Sequence, residues 1–176
     1  MSTIDQSGHP SVAKVAAALA EAGQQAAADG IRILPAEVRT AAQAAEALGV
    51  EVGAIANSLV FRSRTGDTET ALLALTSGAH RADTDLLASL TGADEIGKAD
   101  ADFVRAHTGQ PIGGVAPVGH PKALTTLVDT ALRAHEVVWA AAGHPKSVYP
   151  TTFDGLVALT GGTPADVAGD RQDGRP

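Results

Sequence analysis

The sequence contains no cysteine. That excludes disulfides, thiolate nucleophiles and cysteine-ligated metals, and it is compatible with the cytoplasmic location expected here. Aromatic residues make up only 3% of the chain, so the core has to be built mostly from Ala, Val, Leu and Ile. No apolar run approaches the roughly 20 residues of a membrane-spanning helix. The longest, Val137 to Ala142, has the length of a strand. The stretch Met1 to Gly8 is polar and lacks the basic-then-apolar pattern of an export signal. Positive charge is also scarce: 13 Lys and Arg stand against 20 Asp and Glu, a net charge of −7. That argues against strong non-specific binding to nucleic acid, because it rests on cations neutralising phosphates. Contact with a nucleic acid has to be local and transient. What remains is ordinary for a globular protein, with 44% hydrophobic and 19% charged residues in 176. The length suits one domain, residues 1–176, with a sizeable core.

Local signals divide the chain into alternating elements. Pro10 to Ala22 reads as a helix, with Pro10 at its first position, Val12, Val15, Ala16 and Leu19 on one face, and Gly23 at its end. Ile31 to Leu34 is a short strand stopped by Pro35. Thr40 to Leu48 is an Ala-rich helix with Thr40 as cap and Gly49 after it. Ala56 to Arg64 and Thr70 to Thr76 read as a hairpin turning at Thr65-Gly66-Asp67. Asp83 caps a helix running to Leu90 and closed by Gly92. Asp100 caps another, Ala101 to Thr108, closed by Gly109. Thr125 to Arg133 fits either a helix or a strand. Val137 to Ala142 and Ser147 to Tyr149 are strands, and Thr151 with Asp154 resembles a capping box for a last helix ending at Gly161-Gly162. Residues 1–8 and 169–176 read as frayed ends. Strands and helices mix without a regular βαβ rhythm, which predicts an α+β fold.

The most informative segment is Pro111-Ile112-Gly113-Gly114-Val115-Ala116-Pro117-Val118-Gly119-His120-Pro121. Three glycines allow close approach to the backbone, and three prolines hold the loop in one shape. A rigid loop that presents its amides can bind an anion or a developing oxyanion without a charged side chain. A tight turn between core elements accounts for the same composition. Other candidates are weaker. Ser58 lacks the His/Asp partners of an activated nucleophile. The histidines lack zincin spacing, so no zinc site or other metal is expected. His120 and His144 each precede a proline and suit loop-stabilising roles, with His120 nearest the glycine loop. Asp83 with Asp85 and Asp100 with Asp102 are better explained by helix capping than by catalysis.

Taken in order, Ala54-Ile55-Ala56-Asn57-Ser58-Leu59-Val60-Phe61, the Gly113-to-Pro117 loop, Val137 to Pro145 and Thr151 to Gly162 resemble the YbaK/ProX family of aminoacyl-tRNA editing domains, which also occur inserted in prolyl-tRNA synthetases. The resemblance runs from about Val12 to Val167. It implies a mixed, partly barrel-like sheet surrounded by helices, and no cofactor. It implies an aminoacyl-tRNA acceptor end as partner, with prolyl-tRNA synthetase or another synthetase as a further one, in a monomer or dimer. In the family a lysine usually stands where this chain has Asn57, and it engages the acceptor-end phosphate or ribose. Asn57 can donate and accept hydrogen bonds but supplies no charge; a lost charged hydrogen bond is worth roughly 1.5–3 kcal/mol.

The implied activity is trans-editing. The protein would hydrolyse the ester of a mischarged tRNA, most plainly tRNA-Pro carrying a small non-cognate amino acid, as the second sieve that weak side-chain discrimination calls for. Amides of Gly113, Gly114 and Val115 would stabilise the oxyanion, with Asn57 orienting the acceptor end. Ser58, Arg62, Ala116, Pro117 and His120 would contact substrate, and Ala140, Ala141 and Ala142 would shape the amino-acid pocket. Two other readings stay open: a binding module for aminoacyl-tRNA ends or a synthetase, impaired in hydrolysis because of Asn57, and a hydrolase of another small ester.

Overall fold

The computed structural model describes residues 10–168, so the frayed ends expected at 1–8 and 169–176 lie outside the described residues. In chain order the elements are α1 (Pro10–Glu21), α2 (Gln25–Asp29), β1 (Arg32–Ile33), α3 (Ala41–Leu48), β2 (Ile55–Thr65), β3 (Thr68–Ser77), α4 (Thr84–Thr91), β4 (Glu95–Lys98), α5 (Ala101–Thr108), β5 (Thr125–Asp129), β6 (Val138–Ala141), β7 (Ser147–Thr151), α6 (Phe153–Thr160) and β8 (Thr163–Ala165). Short 3-10 turns cover Val52–Ala54 and Thr130–Ala134.

The expected α+β architecture is present. One eight-stranded mixed sheet runs β1-β7-β6-β2-β3-β5-β8, with β4 attached to β2. Strand alternation sorts the core onto its two faces. Ala56, Leu73, Leu75, Val128, Ala140 and Tyr149 point to one face, where Val12, Val15 and Leu19 of α1, Val104 of α5 and Leu156 of α6 cover them. On the opposite face, Ile55, Trp139 and Val148 pack under Ala44 and Ala45 of α3. Further along that face, Leu72, Ile96 and Leu127 pack under Leu87 of α4. The helices α3 and α4 thus sit at two ends of one sheet face.

Local chemistry sets the boundaries of these helices. Thr40 Oγ1 accepts the Gln43 N–H at 3.1 Å, and Gln43 Oε1 accepts the Arg39 N–H at 2.7 Å, a near-reciprocal cap. Asp83 accepts Asp85 and Leu86 N–H, and Asp100 accepts Phe103 N–H. The hairpin joining β2 and β3 turns at Gly66, with φ +61°, a backbone state open to glycine at no steric cost.

Several local readings change. The cap of α6 is Thr152, whose side chain accepts Gly155 N–H, while Thr151 ends β7. The ambiguous stretch Thr125 to Arg133 resolves into β5 followed by a 3-10 turn. The short helix α2 and the strands β4 and β8 had no legible signal. They are only five, four and three residues long, too short for a periodicity to register.

Candidate functional site

The site begins with a break in the sheet. On one edge β2 pairs with β3 along its whole length. On the other, Ile55 and Ala56 pair with β6, while residues from Phe61 to Arg64 pair with β4. Between them the edge of β2 is open. The Ile55 carbonyl accepts Gly78 N–H on the β3 side, and the Arg64 carbonyl accepts Asp94 N–H on the β4 side. By alternation, the peptide groups of even-numbered residues therefore turn toward the open edge. Ser58, at its centre, has a register partner on neither β6 nor β4. Its N–H and C=O face the gap.

A cavity of about 700 Å³ occupies this gap, within the range of small-molecule sites. All residues from 55 to 61 line it. Consecutive strand residues alternate faces, so a cavity that touches all of them has to wrap the strand's open edge. Apolar walls come from Leu34, Val38, Ala44, Trp139 and Val148. Three cations, Arg39, Arg81 and Lys98, also line it, and no Asp or Glu does among the described residues. A chain of net charge −7 therefore turns a purely cationic set of charged side chains toward this cavity. Positive charge in a low-dielectric cleft concentrates anionic ligands.

The glycine loop faces the open edge. Gly114 N–H donates to the Pro111 carbonyl at 3.0 Å, with Gly113 at φ +90°. This is a type II turn, which requires a left-handed residue at its third position. Gly114 serves packing: a Cβ there would lie 2.5 Å from the His144 carbonyl carbon and 2.6 Å from Pro145 N. Its amide is consumed by the turn. The Ala116 amide is consumed as well, by Gln110 Oε1 at 2.6 Å. Among the described residues, the Gly113 and Val115 amides have no acceptor, and both residues line the cavity. Of the three amides expected to form an oxyanion set, only that of Gly114 has an acceptor among the described residues. His120 Nε2 meets the Ala116 carbonyl at 2.7 Å. A carbonyl only accepts, so the proton sits on Nε2. Burial holds the His120 pKa below the ordinary value, against the opposing pull of that hydrogen bond.

The profile of the aminoacyl-tRNA editing domain family matches residues 35–159. The chain belongs to that family. It is 39% identical to a solved structure of a candidate trans-editing enzyme for prolyl tRNA synthetase, with a TM-score of 0.81 over 90% of this chain and 97% of the other. A scaffold from computational epitope grafting is equally similar, at 39% identity and TM-score 0.83, covering 91% of this chain and 98% of that one. The proline--tRNA ligase of Pelobacter propionicus is 30% identical over 97 residues, 55% of this chain and 16% of the ligase. This chain therefore spans only a small part of that curated relative.

Within this editing domain, the expected site residues divide in two. Asn57, Ser58, Gly113, Val115 and Ala141 line the cavity. Gly114, Ala116, Pro117, His120 and Ala142 do not line it. Of the three alanines, Ala140 and Ala142 are fully buried, because alternation in β6 turns only Ala141 to the cavity face. Arg62 is outside the cavity. Its guanidinium meets Glu69 at 3.0 Å and Asp100 at 3.3 Å and lies over the Phe103 ring. Among the described residues, the Ser58 and Tyr149 hydroxyls are buried without a hydrogen-bond partner. His144 Nδ1 accepts the Lys146 N–H at 3.2 Å, and the His144 backbone N–H donates to Ser147 Oγ at 3.0 Å. Sequence reasoning missed Arg39, Arg81 and Lys98. Lys98 sits on the unsignalled β4, and the two arginines read as loop residues beside helix caps.

Proposed function

We propose that this protein is an aminoacyl-tRNA deacylase acting in trans, hydrolysing the ester of tRNA-Pro charged with a small non-cognate amino acid. What supports the reading is one cavity lined together by Gly113 and Val115, whose amides have no acceptor among the described residues, by the open edge of β2, and by Arg39, Arg81 and Lys98. The cations suit the phosphates of an acceptor end. The apolar walls suit a small side chain and the terminal base. Family membership and the likeness to a candidate trans-editing enzyme for prolyl tRNA synthetase support the same reaction class.

The chemistry asks little of side chains. A water oxygen attacks the ester carbonyl carbon, and the carbonyl oxygen becomes an oxyanion facing the Gly113 and Val115 amides. Each such donor is worth about 2.7–4 kcal/mol in the transition state. The tetrahedral centre collapses by breaking its bond to the ribose oxygen, which takes up a proton. Free amino acid and uncharged tRNA leave. The Ser58 carbonyl or the neighbouring ribose hydroxyl positions the water. Asn57, on the same strand edge, orients the terminal nucleotide by neutral hydrogen bonds, while Arg39, Arg81 and Lys98 supply the charge that Asn57 lacks.

The test is deacylation of Ala-, Cys-, Ser- and Pro-tRNA-Pro by the native protein beside Asn57→Lys. Selective hydrolysis of a small non-cognate ester by the native protein is the expected result. The uncharged Asn57 in the cavity also favours a second reading, a binding module without hydrolysis. Silence of the native protein with activity in Asn57→Lys would establish that one and end the first.

A further inference from the structure

Gln110 is polar, 2% exposed, outside the cavity, and bonded at both ends of its side chain. Its Oε1 accepts the Ala116 N–H at 2.6 Å, and its Nε2 donates to the Val118 carbonyl at 3.0 Å. One side chain therefore bridges the loop on both sides of Pro117. Its own backbone is anchored too: Gln110 N–H donates to Thr108 Oγ1 at 3.0 Å, and that hydroxyl donates to the Val104 carbonyl at 2.7 Å. Val104 lines the cavity from α5. A continuous hydrogen-bonded path thus joins the cavity wall to the amide loop. His120 grips the Ala116 carbonyl from the other side, so the residue next to Val115 is held at both its N–H and its C=O.

We propose that Gln110 is a positioning residue of the hydrolytic site: it fixes the direction of the Gly113 and Val115 amides without touching substrate. The inference rests on the deacylase reading of the same cavity. A donor aids a transition state in proportion to how little it must reorganise. The prolines and the Pro111–Gly114 turn stiffen the loop from within, and the two bonds of Gln110 tie it to the residues that follow α5. The geometry also dictates which substitutes can serve. The amide offers one acceptor and one donor. Methionine offers neither. A carboxylate offers two acceptors and would set one against the Val118 carbonyl; a neutral carboxylic acid offers one of each.

Two variants separate positioning from simple packing. Gln110→Met preserves length and apolar volume. The expected result is a loss of kcat of about 10- to 100-fold, approaching removal of one oxyanion donor, with KM changed by less than about threefold. Gln110→Glu is expected to show a pH profile that the native protein lacks. Burial and the facing carbonyl raise its carboxyl pKa. Below that raised value the acid is neutral and restores both bonds; above it the carboxylate repels the Val118 carbonyl. The ratio of variant to native kcat should therefore rise as pH falls from about 8 to about 5, across the range opened by lifting a carboxyl from its usual value near 4.3. Thermal melts at each pH confirm that the compared proteins are folded. Native kcat in folded Gln110→Met, or a kcat ratio for Gln110→Glu that is flat with pH, would overturn the proposal. If the native protein hydrolyses none of the esters, the deacylase reading fails by itself. Positioning is then read from amide hydrogen exchange at Gly114, whose bond to the Pro111 carbonyl holds the turn: faster exchange in Gln110→Met supports the strut, and unchanged exchange refutes it.

Discussion

Gly114→Ala is the smallest change that should disable the site without touching the cavity. The new Cβ would stand 2.5 Å from the His144 carbonyl carbon and 2.9 Å from its Cα. These are backbone atoms, held by Ser147 through the His144 N–H at 3.0 Å and the His144 carbonyl at 2.8 Å, so they do not yield cheaply. Moving from 2.5 Å to an ordinary contact of 3.4 Å or more requires a shift of about 0.9 Å, and the loop is the partner that moves. Overpacking of this kind costs roughly 1–3 kcal/mol of stability. The kinetic effect is larger in proportion. Val115 is the next residue, and its amide moves with the loop. A misplacement of about 1 Å at a reacting group can cost on the order of 10²-fold. Single-turnover deacylation, at a temperature well below the variant's melting point, is expected to show that loss in the chemical step. Gly113→Ala separates clash from turn strain: nothing lies within 4 Å of its Cβ, and its cost comes only from its φ of +90°. A Gly114→Ala protein that melts lower but turns over at the native rate would remove the loop amides from the reaction.

Removing Lys98, Arg81 or Arg39 singly should weaken acceptor-end binding and lower the salt slope of log K by about 0.7 for each single-strand phosphate left without its cation; binding titrations between low and moderate salt measure this, and an unchanged slope would place the cation away from the bound phosphates. Ser58→Ala deletes a buried hydroxyl with no partner, so the melting temperature should hold or rise while deacylation falls; equal turnover would make that hydroxyl incidental. Because the folded pKa of His120 is lowered, the unfolded chain takes up its proton first on acidification. The contribution is therefore present above about pH 6.5, the unfolded value, and is lost as pH falls through the folded one. His120→Gln is expected to flatten the decline of melting temperature below that point; parallel declines in both proteins would contradict the assigned burial effect.

Much of the local architecture was legible because its causes are local. Thr40, Asp83 and Asp100 cap helices through bonds spanning two or three residues, and the β2–β3 hairpin is specified by Gly66 between two strand-forming runs. The one misplaced cap, Thr151 for Thr152, arose because adjacent threonines carry the same chemistry and only the strand register of β7 separates them. The glycine loop was recognisable as a presenter of amides. Which amides it presents was not, since that depends on Pro111 and Gln110 each claiming one.

The sequence by itself determined an α+β fold, its main helix boundaries, the hairpin and the editing-family resemblance. These follow from periodicity, capping and turn chemistry, which act over a few residues. Only the tertiary structure decided where the cavity lies. It exists because β6 and β4, some 40 residues apart in the chain, share one edge of β2 and leave Ser58 uncovered between them. Only the tertiary structure, too, brought Arg39, Arg81 and Lys98 together while tying Arg62 to Glu69 and Asp100. Charge counting sees a net of −7; the field inside a cleft depends on which few charges the folded chain turns toward it.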